Sequence, residues 1–586
     1  MAPAVARVLP EVAALDRVFD YAVGDDGPVP EVGDRVRVNL HGRSVRGWVV
    51  GLADATDAGD LKPLARRLGK GPPPPVVELC EWAAWRWAGP RSKLLASASP
   101  SRVVTEVVPA RGGGELPGVH NQLRVAGLRL VRRRAATLVE VGPCTDPMDL
   151  VLGVLHGVAE IRTPGSVVVT TPTTGWATRL TERLRHRGVD VAGPDQWAEA
   201  AGGPQVVVGT RGAALAPVPA LAAAVVLDAH DGAYRQTQAP CWSAVELLAE
   251  RCRRAKVSLV ATSWCADPSL RALVSHHEQV EHEQRLWPRL VVADLGVADP
   301  RERQLSATFV EVAHRALDEP DAGVRVAVVL QRLGGVRLLA CRACGALAVC
   351  EAHGAAIKEG TDGYACDLGC SGLARLCVAC GSTKLVALRE GITSLVKRVS
   401  ALLGVEAIEV SATSATIPED ARVVVGTEAV LNRIRHAGVV CFADVDDYLC
   451  APRAHASLEA LRAIGLAGRL VGSRGSMAPG TVVVQTRLPE HPAVAAAVHG
   501  APAALLEAEE RSAEALGLPP HVAICALRGT GAAAYAAALA ATGVTLVEEA
   551  DRFVVVAADH VALCDALAAT PRPAEALRVE VDPPGG

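Results

Sequence analysis

The chain of 586 residues is poor in rings: four Phe, five Tyr and nine Trp make up 3% of it. Its cores must be built from Ala, Val and Leu, and any surface that stacks nucleic-acid bases has few rings to draw on. No apolar run approaches the ~20 residues that cross a bilayer, which excludes a helical membrane protein. The N-terminus, MAPAVARVLPEVAAL, lacks the basic start, apolar centre and cleavage site of a secretory signal. Neither sign of charge is in excess: a formal charge of −4 gives no global attraction to nucleic acid, so DNA binding must rest on local basic surfaces. Without a secretory signal, clustered cysteines argue for a reducing cytosol rather than a disulfide framework.

The cysteines are the least probable feature. Seven of the sixteen lie in the run CRACGALAVCEAHGAAIKEGTDGYACDLGCSGLARLCVACG. Cys341-x2-Cys344 and Cys377-x2-Cys380 have the knuckle spacing that places two thiolates on one tetrahedral zinc, and a glycine after each pair lets the loop turn around it. Nested inside, Cys350-x2-His353 and Cys366-x3-Cys370 form a second, less regular set of four. Two complete sets leave no open coordination position, so the block reads as a two-zinc scaffold rather than a reaction centre.

The length predicts roughly three to five domains. Alternation over residues 34–50 argues for short strands of a small β-rich domain, with Arg35, Arg37, Arg43 and Arg46 sharing a face. Prolines at 72–75 form a stiff spacer, and VVELCEWAAWRWAGP after them has helical spacing, its tryptophans expected against the β-domain. Residues 101–125 read as a linker, followed by a basic cluster of Arg124, Arg129, Arg132, Arg133 and Arg134. The runs ATLVEVG, SVVVTTP, QVVVGT, AAVVLD and VSLVAT then alternate with polar helical segments, which indicates a parallel sheet wrapped by helices. A second such pattern has strands at VRVAVVLQ, LVALR, AIEVS, RVVVGT, GVVCFADV and TVVVQT, and the cysteine block interrupts it. The chain closes with a small α+β unit.

Phrases in order along the chain carry a resemblance: VFDYAV near the start, VVVGTRGAALAPVPALAAAVVLDAHDGAYRQ, the cysteine block, VVVGTEAV, VVVQTRLPEHPAV, then LPP and RVEVDP. Together they resemble the PriA family of primosomal replication-restart helicases over nearly the whole length. The resemblance implies a multidomain α/β chain. Its expected parts are a β-rich 3′-end DNA-binding domain at residues 1–105, a RecA-like lobe at 120–292 and a second at 293–340 and 385–485. A zinc-binding insertion at 341–384 and a C-terminal α+β domain at 486–586 complete it. Residues 101–125 are too short for the family's winged-helix domain. The family's 3′-end pocket includes a Phe-Asp pair, which maps to Phe19 and Asp20; its Pro-Phe-Gly segment reads Asn39-Leu40-His41 here. Arg43, Arg132, Arg133 and Arg134 are the further DNA contacts expected.

The same resemblance brings departures. A P-loop needs free backbone N–H groups, a lysine and a Ser/Thr hydroxyl around the phosphates and Mg²⁺. Here the loop runs from Gly142 through two prolines to Met148 and Asp149, where the family has lysine and threonine. The family's Asp-Glu-Glu-His reads Leu227-Asp228-Ala229-His230, its Ser-Ala-Thr is Thr262-Ser263-Trp264, and of its arginine motif Arg469 and Arg474 remain with altered spacing. The expectation is a restart protein with no catalytic residue and no ATP or Mg²⁺ requirement. It binds stalled or abandoned forks and single-stranded DNA, works with a single-stranded-DNA-binding protein and with the replicative helicase and its loader, and resides in the cytoplasm at the nucleoid. The alternatives are an active ATP-dependent 3′→5′ helicase with an atypical nucleotide site, and a zinc-bearing interaction protein outside DNA metabolism.

Overall fold

A computed structural model describes residues 5–583 except 13–14, 25–28, 57–60, 111–113, 280–285, 298–304, 320–322, 331–338, 355–356, 361–362, 367–369, 388–391, 412–416, 452, 473–478 and 550. Arg474 lies outside the described residues.

Alternation drives the first unit. In Arg35–Leu40, Val36 and Val38 point inward, and the strand turns through His41 and Gly42, both at positive φ, into Arg43–Ala53. Such two-residue loops match the twist of paired strands. The antiparallel sheet runs in the order Phe19–Ala22, Val5–Pro10, Arg43–Ala53, Arg35–Leu40, Arg66–Gly69. Its ends meet: Ala22 N–H donates to the Lys62 carbonyl at 3.0 Å and Ala65 N–H to that of Arg37 at 3.1 Å. The unit is thus a small barrel, with an interior of Ala6, Val8, Tyr21, Val36, Val38 and Val49.

Two parallel sheets follow. The first orders His276–Gln279, Ala136–Glu140, Ser258–Ser263, Leu221–Val226, Ser166–Thr170, Val206–Gly209 and Val191–Ala192. All five expected strands are there. His276–Gln279 and Val191–Ala192 are additional: both are edge strands, held by backbone pairing rather than by an apolar run. The second sheet orders Arg289–Asp294, Thr481–Thr486, Val439–Asp444, Val326–Leu330, Val423–Gly426 and Ala407–Val410. The strand Arg289–Asp294 lies across the expected lobe boundary and pairs wholly within the second sheet.

One strand expectation is corrected. Leu385–Ala387 does not enter the second sheet but pairs antiparallel with Leu339–Cys341, Cys341 opposite Leu385, and closes the cysteine insertion at its base. Three residues beside a knuckle are too short to cross a lobe. The C-terminal unit is an antiparallel sheet in the order Thr545–Glu548, Phe553–Ala557, Ala523–Arg528, Arg578–Val581.

The tryptophan helix, Pro74–Arg86, reaches beyond the barrel. It joins three units rather than covering the barrel alone. One continuous apolar core holds Trp48 of the barrel, Leu79 and Trp87, Leu247 of the first lobe and Leu527 of the C-terminal sheet. Trp85 Nε1 donates to Asp565 at 2.9 Å. The barrel touches this helical layer through Trp48, whose Nε1 donates to Ser99 Oγ at 2.8 Å.

Candidate functional sites: DNA-binding barrel, cysteine clusters and the cleft between the lobes

On the barrel, Phe19 and Asp20 sit on the strand that opens the sheet, and alternation turns them to opposite faces. Phe19 packs against the barrel interior, with the Arg17 guanidinium 5.6 Å from its ring centre. Asp20 lies opposite Arg7 in the ladder and accepts from the Thr56 hydroxyl. Tyr21 is buried, and its hydroxyl donates to the Asn39 carbonyl at 3.3 Å, tying this strand to the hairpin that ends in His41 and Gly42. Register also divides the arginines. Arg37 faces Arg46, and Arg35 shares their side, whereas Arg43 lies opposite Leu40 on the other side.

The basic cluster is weaker than its sequence suggests. Glu278, on an edge strand that no apolar pattern announced, pairs with both Arg133 at 2.6 Å and Arg129 at 2.8 Å. Arg124 lies 3.6 Å from Glu160. Arg132 and Arg134 are exposed and have no ion pair among the described residues. Arg134 lines a cavity of about 900 Å³ with Trp82, Arg86, Arg235, His455 and His560, a feature assembled from four units and invisible in any one segment.

The cysteine insertion gathers both expected ligand sets. Within each, the donor atoms all lie within 4.8 Å of one another. Sγ atoms of Cys341 and Cys380 are 3.5 Å apart, and those of Cys344 and Cys377 are 3.6 Å apart. A tetrahedron with bonds of about 2.3 Å has edges of roughly 3.8 Å, so the spacing fits a zinc ion. Gly345 and Gly381 take positive φ, 76° and 72°, and donate to the carbonyls of Cys341 and Cys377, as the sharp turn after each pair requires. Burial opposes the Cys341 thiolate, yet the N–H groups of Cys344 and Ala343 and the neighbouring Cys380 bring its thiol down to about 6. In the second set, His353 Nδ1 lies 3.7, 3.4 and 3.5 Å from the sulfurs of Cys350, Cys366 and Cys370. Four donors converge in each cluster, and none is engaged in a disulfide.

The loop at the head of the helix Pro147–Glu160 is tied to its surroundings by hydrogen bonds of the chain itself. Four of its N–H groups are spent: Val141 to the Ser263 carbonyl, Cys144 to Leu286, Thr145 to Gly142, and Met148 to the side chain of Asp146. Pro143 and Pro147 have none to give. The helix N-terminus, which would attract a phosphate, is capped by the chain's own carboxylate. Asp146 is held there by two hydrogen bonds from Arg183, at 3.0 and 2.6 Å. Burial alone would raise its carboxyl, but Arg183 and the Met148 N–H hold it below the usual range. Met148 is 3% exposed and forms part of the first lobe's core, while Asp149 points to solvent.

Across the cleft, Asp228 is buried, and its two oxygens receive both Nη atoms of Arg469 from the second lobe. Arg469 Nε donates to the Pro143 carbonyl at 2.7 Å. The guanidinium lies between two indoles, 4.7 Å from the ring centre of Trp176 and 4.6 Å from that of Trp264. His230 stays neutral, because burial, then Arg462 and Arg469, depress its pKa; its Nδ1 is 2.9 Å from Ser263 Oγ.

Residues 7–100, the barrel with its two following helices, match the family model of the PriA 3′DNA-binding domain. The chain is 28% identical over 570 residues to the probable replication restart protein PriA of Mycobacterium bovis, covering 88% of this chain and 85% of that protein. For the probable replication restart protein PriA of Mycobacterium leprae the figures are 27%, 89% and 86%. The replication restart protein PriA of Thermotoga maritima is 25% identical over 56% of this chain and 46% of its own length. Along most of its length the chain is similar to PriA replication restart proteins. No helix among its described residues is long and apolar enough to cross a membrane. Sequence reading found Asp228 and Arg469 but not their pairing. Trp176 it did not single out; a tryptophan after a helix-capping threonine was the signal available.

Proposed function

We propose that this chain recognises forked DNA carrying a 3′ end and supports reloading of the replicative helicase without ATP-driven unwinding. One observation carries the reading: four N–H groups in and beside the loop that would cradle a triphosphate already donate to other groups of the chain, and the Asp146 carboxylate caps the helix where phosphate charge would sit. Phosphoryl transfer relies on positioned cations and donors, and the cleft offers Asp228 already neutralised by Arg469. DNA affinity is assigned to the barrel through Phe19, Asp20 and Arg43, with Arg132 and Arg134 along the backbone path. Arg133, paired to Glu278, contributes less than its sequence position implies. Two zinc ions per chain would hold the insertion by Cys341, Cys344, Cys377 and Cys380, and by Cys350, His353, Cys366 and Cys370, as a rigid platform for partner proteins. The partners fitting this role are a single-stranded-DNA-binding protein and the helicase with its loader, in the cytoplasm at the nucleoid.

The test is binding to a fork with a 3′ end beside a blunt duplex, with and without ATP–Mg²⁺, while phosphate release is followed. The expected result is a fork preference that nucleotide leaves unchanged and no release above background. Equal affinity for both DNAs removes the fork assignment. Turnover that disappears in Asp228→Asn establishes the helicase alternative instead.

A further inference from the structure

The helix Ala456–Val471 presents one stripe to the first lobe: Arg462, Gly465, Gly468 and Arg469. Its glycines allow contact without a gap. A Cβ at Gly465 would stand 2.4 Å from Trp264 Nε1, and one at Gly468 would stand 2.8 Å from Pro288. Trp264 and Cys265 belong to the first lobe by sequence, yet they are buried in the apolar core of the second. At one end of the stripe Arg462 donates to Asp267 at 2.9 Å, and Asp267 itself caps the helix Pro268–Leu273. At the other, all three nitrogens of Arg469 are engaged by the first lobe: Nε by Pro143, Nη1 and Nη2 by Asp228. Cys144 Sγ also lies 3.4 Å from the Gly468 carbonyl.

We infer that Arg469 is a latch that holds the two lobes together without nucleotide, so that they form one rigid body instead of a cleft that opens and closes. Separation would leave the buried Asp228 carboxylate unpaired, strip a cation from two ring faces within cation–π range and expose Trp264 to water. A ligand moves such an equilibrium only by its differential affinity for the two arrangements, and the site where a nucleotide would exert it is filled by Asp146 and Arg469. The latch is separate from the fork-binding assignment: a rigid pair of lobes need not bind forks, and a fork-binding chain need not be latched.

Hydrogen exchange on the full chain tests it. In the unmodified protein, residues 142–149 and the helix Ala456–Val471 should exchange slowly and identically with and without ATP–Mg²⁺. Arg469→Ala should speed exchange in both segments at least tenfold, Arg469→Lys less, because an ammonium lacks the planar fork. The strands Val206–Gly209 and Val423–Gly426, inside each lobe, should not change. Exchange in the unmodified chain that responds to ATP, or that is unaltered by Arg469→Ala, overturns the latch. Should the control strands also lose protection, Trp176→Ala decides: it removes only one ring face, and faster exchange confined to the same two segments is required of it. Fork affinity measured on the same samples separates failure of the latch from failure of the functional reading.

Discussion

Asp582 offers the most quantitative check of how the units are joined. It follows the last strand of the C-terminal sheet and accepts from Arg86 Nη2 at 2.8 Å and pairs with His560 Nε2 at 2.8 Å. Arg86, 6% exposed in its side chain, comes from the helix after the barrel and also reaches Glu246 of the first lobe at 2.6 Å. Burial alone would raise the Asp582 carboxyl, but His560 and Arg86 hold it down to about 2 against an ordinary 3.8. Each unit of pKa corresponds to about 1.4 kcal/mol, so ionised Asp582 contributes roughly 2 kcal/mol at neutral pH. Because the folded-state value is depressed, this contribution is complete above about pH 5, falls to about half by pH 3 and is nearly gone at pH 2. Asp582→Asn suits the perturbation, since the residue has φ of 51° and asparagine tolerates that conformation. The assay is hydrogen exchange in Arg578–Val581, corrected for intrinsic rates. The variant should open about 30-fold more readily at pH 7, with the difference shrinking toward acid. Equal opening at pH 7, or a difference that does not shrink at pH 3, refutes the argument.

Further outcomes follow from the same geometry. Metal analysis of the purified chain should give two zinc ions, and Cys377→Ala should retain only the one held by Cys350, His353, Cys366 and Cys370; no zinc in the unmodified chain would overturn the scaffold. Replacing Arg132 and Arg134 together should weaken binding to all DNAs alike and lower the slope of log affinity against log salt by about 0.7–0.9 per lost phosphate contact. An unchanged slope would place the backbone path elsewhere. Phe19→Ala should reduce the preference for a fork with a 3′ end while leaving duplex affinity intact, as measured by competition.

Much of the fold was legible because its signals are local. Valine runs such as SVVVTTP and QVVVGT can only be buried strands, and alternation in RVRVNL fixed which side of the barrel wall is apolar. The strand HHEQ was not legible, since an edge strand paired through its backbone needs no apolar residue; its Glu278 then cancels part of an arginine cluster that looked free. LVALR reads like a sheet strand, yet it lies too close to the knuckles to do anything but close the insertion. The tryptophans near residue 85 signalled packing against the barrel but not the first lobe and C-terminal sheet that share the same core.

By itself the sequence determined the chemistry available: eight zinc-type ligands in two sets, a loop after the strand Ala136–Glu140 with two prolines and no lysine, and a carboxylate at Asp228. Spacing along the chain puts the two ligands of each half-site on one turn, and a missing side chain cannot be restored by folding. Only the tertiary structure decided what Arg469 does. Its partners Pro143, Trp176, Asp228 and Trp264 lie on four separate stretches of the first lobe, and nothing short of the packed interface brings them around one guanidinium.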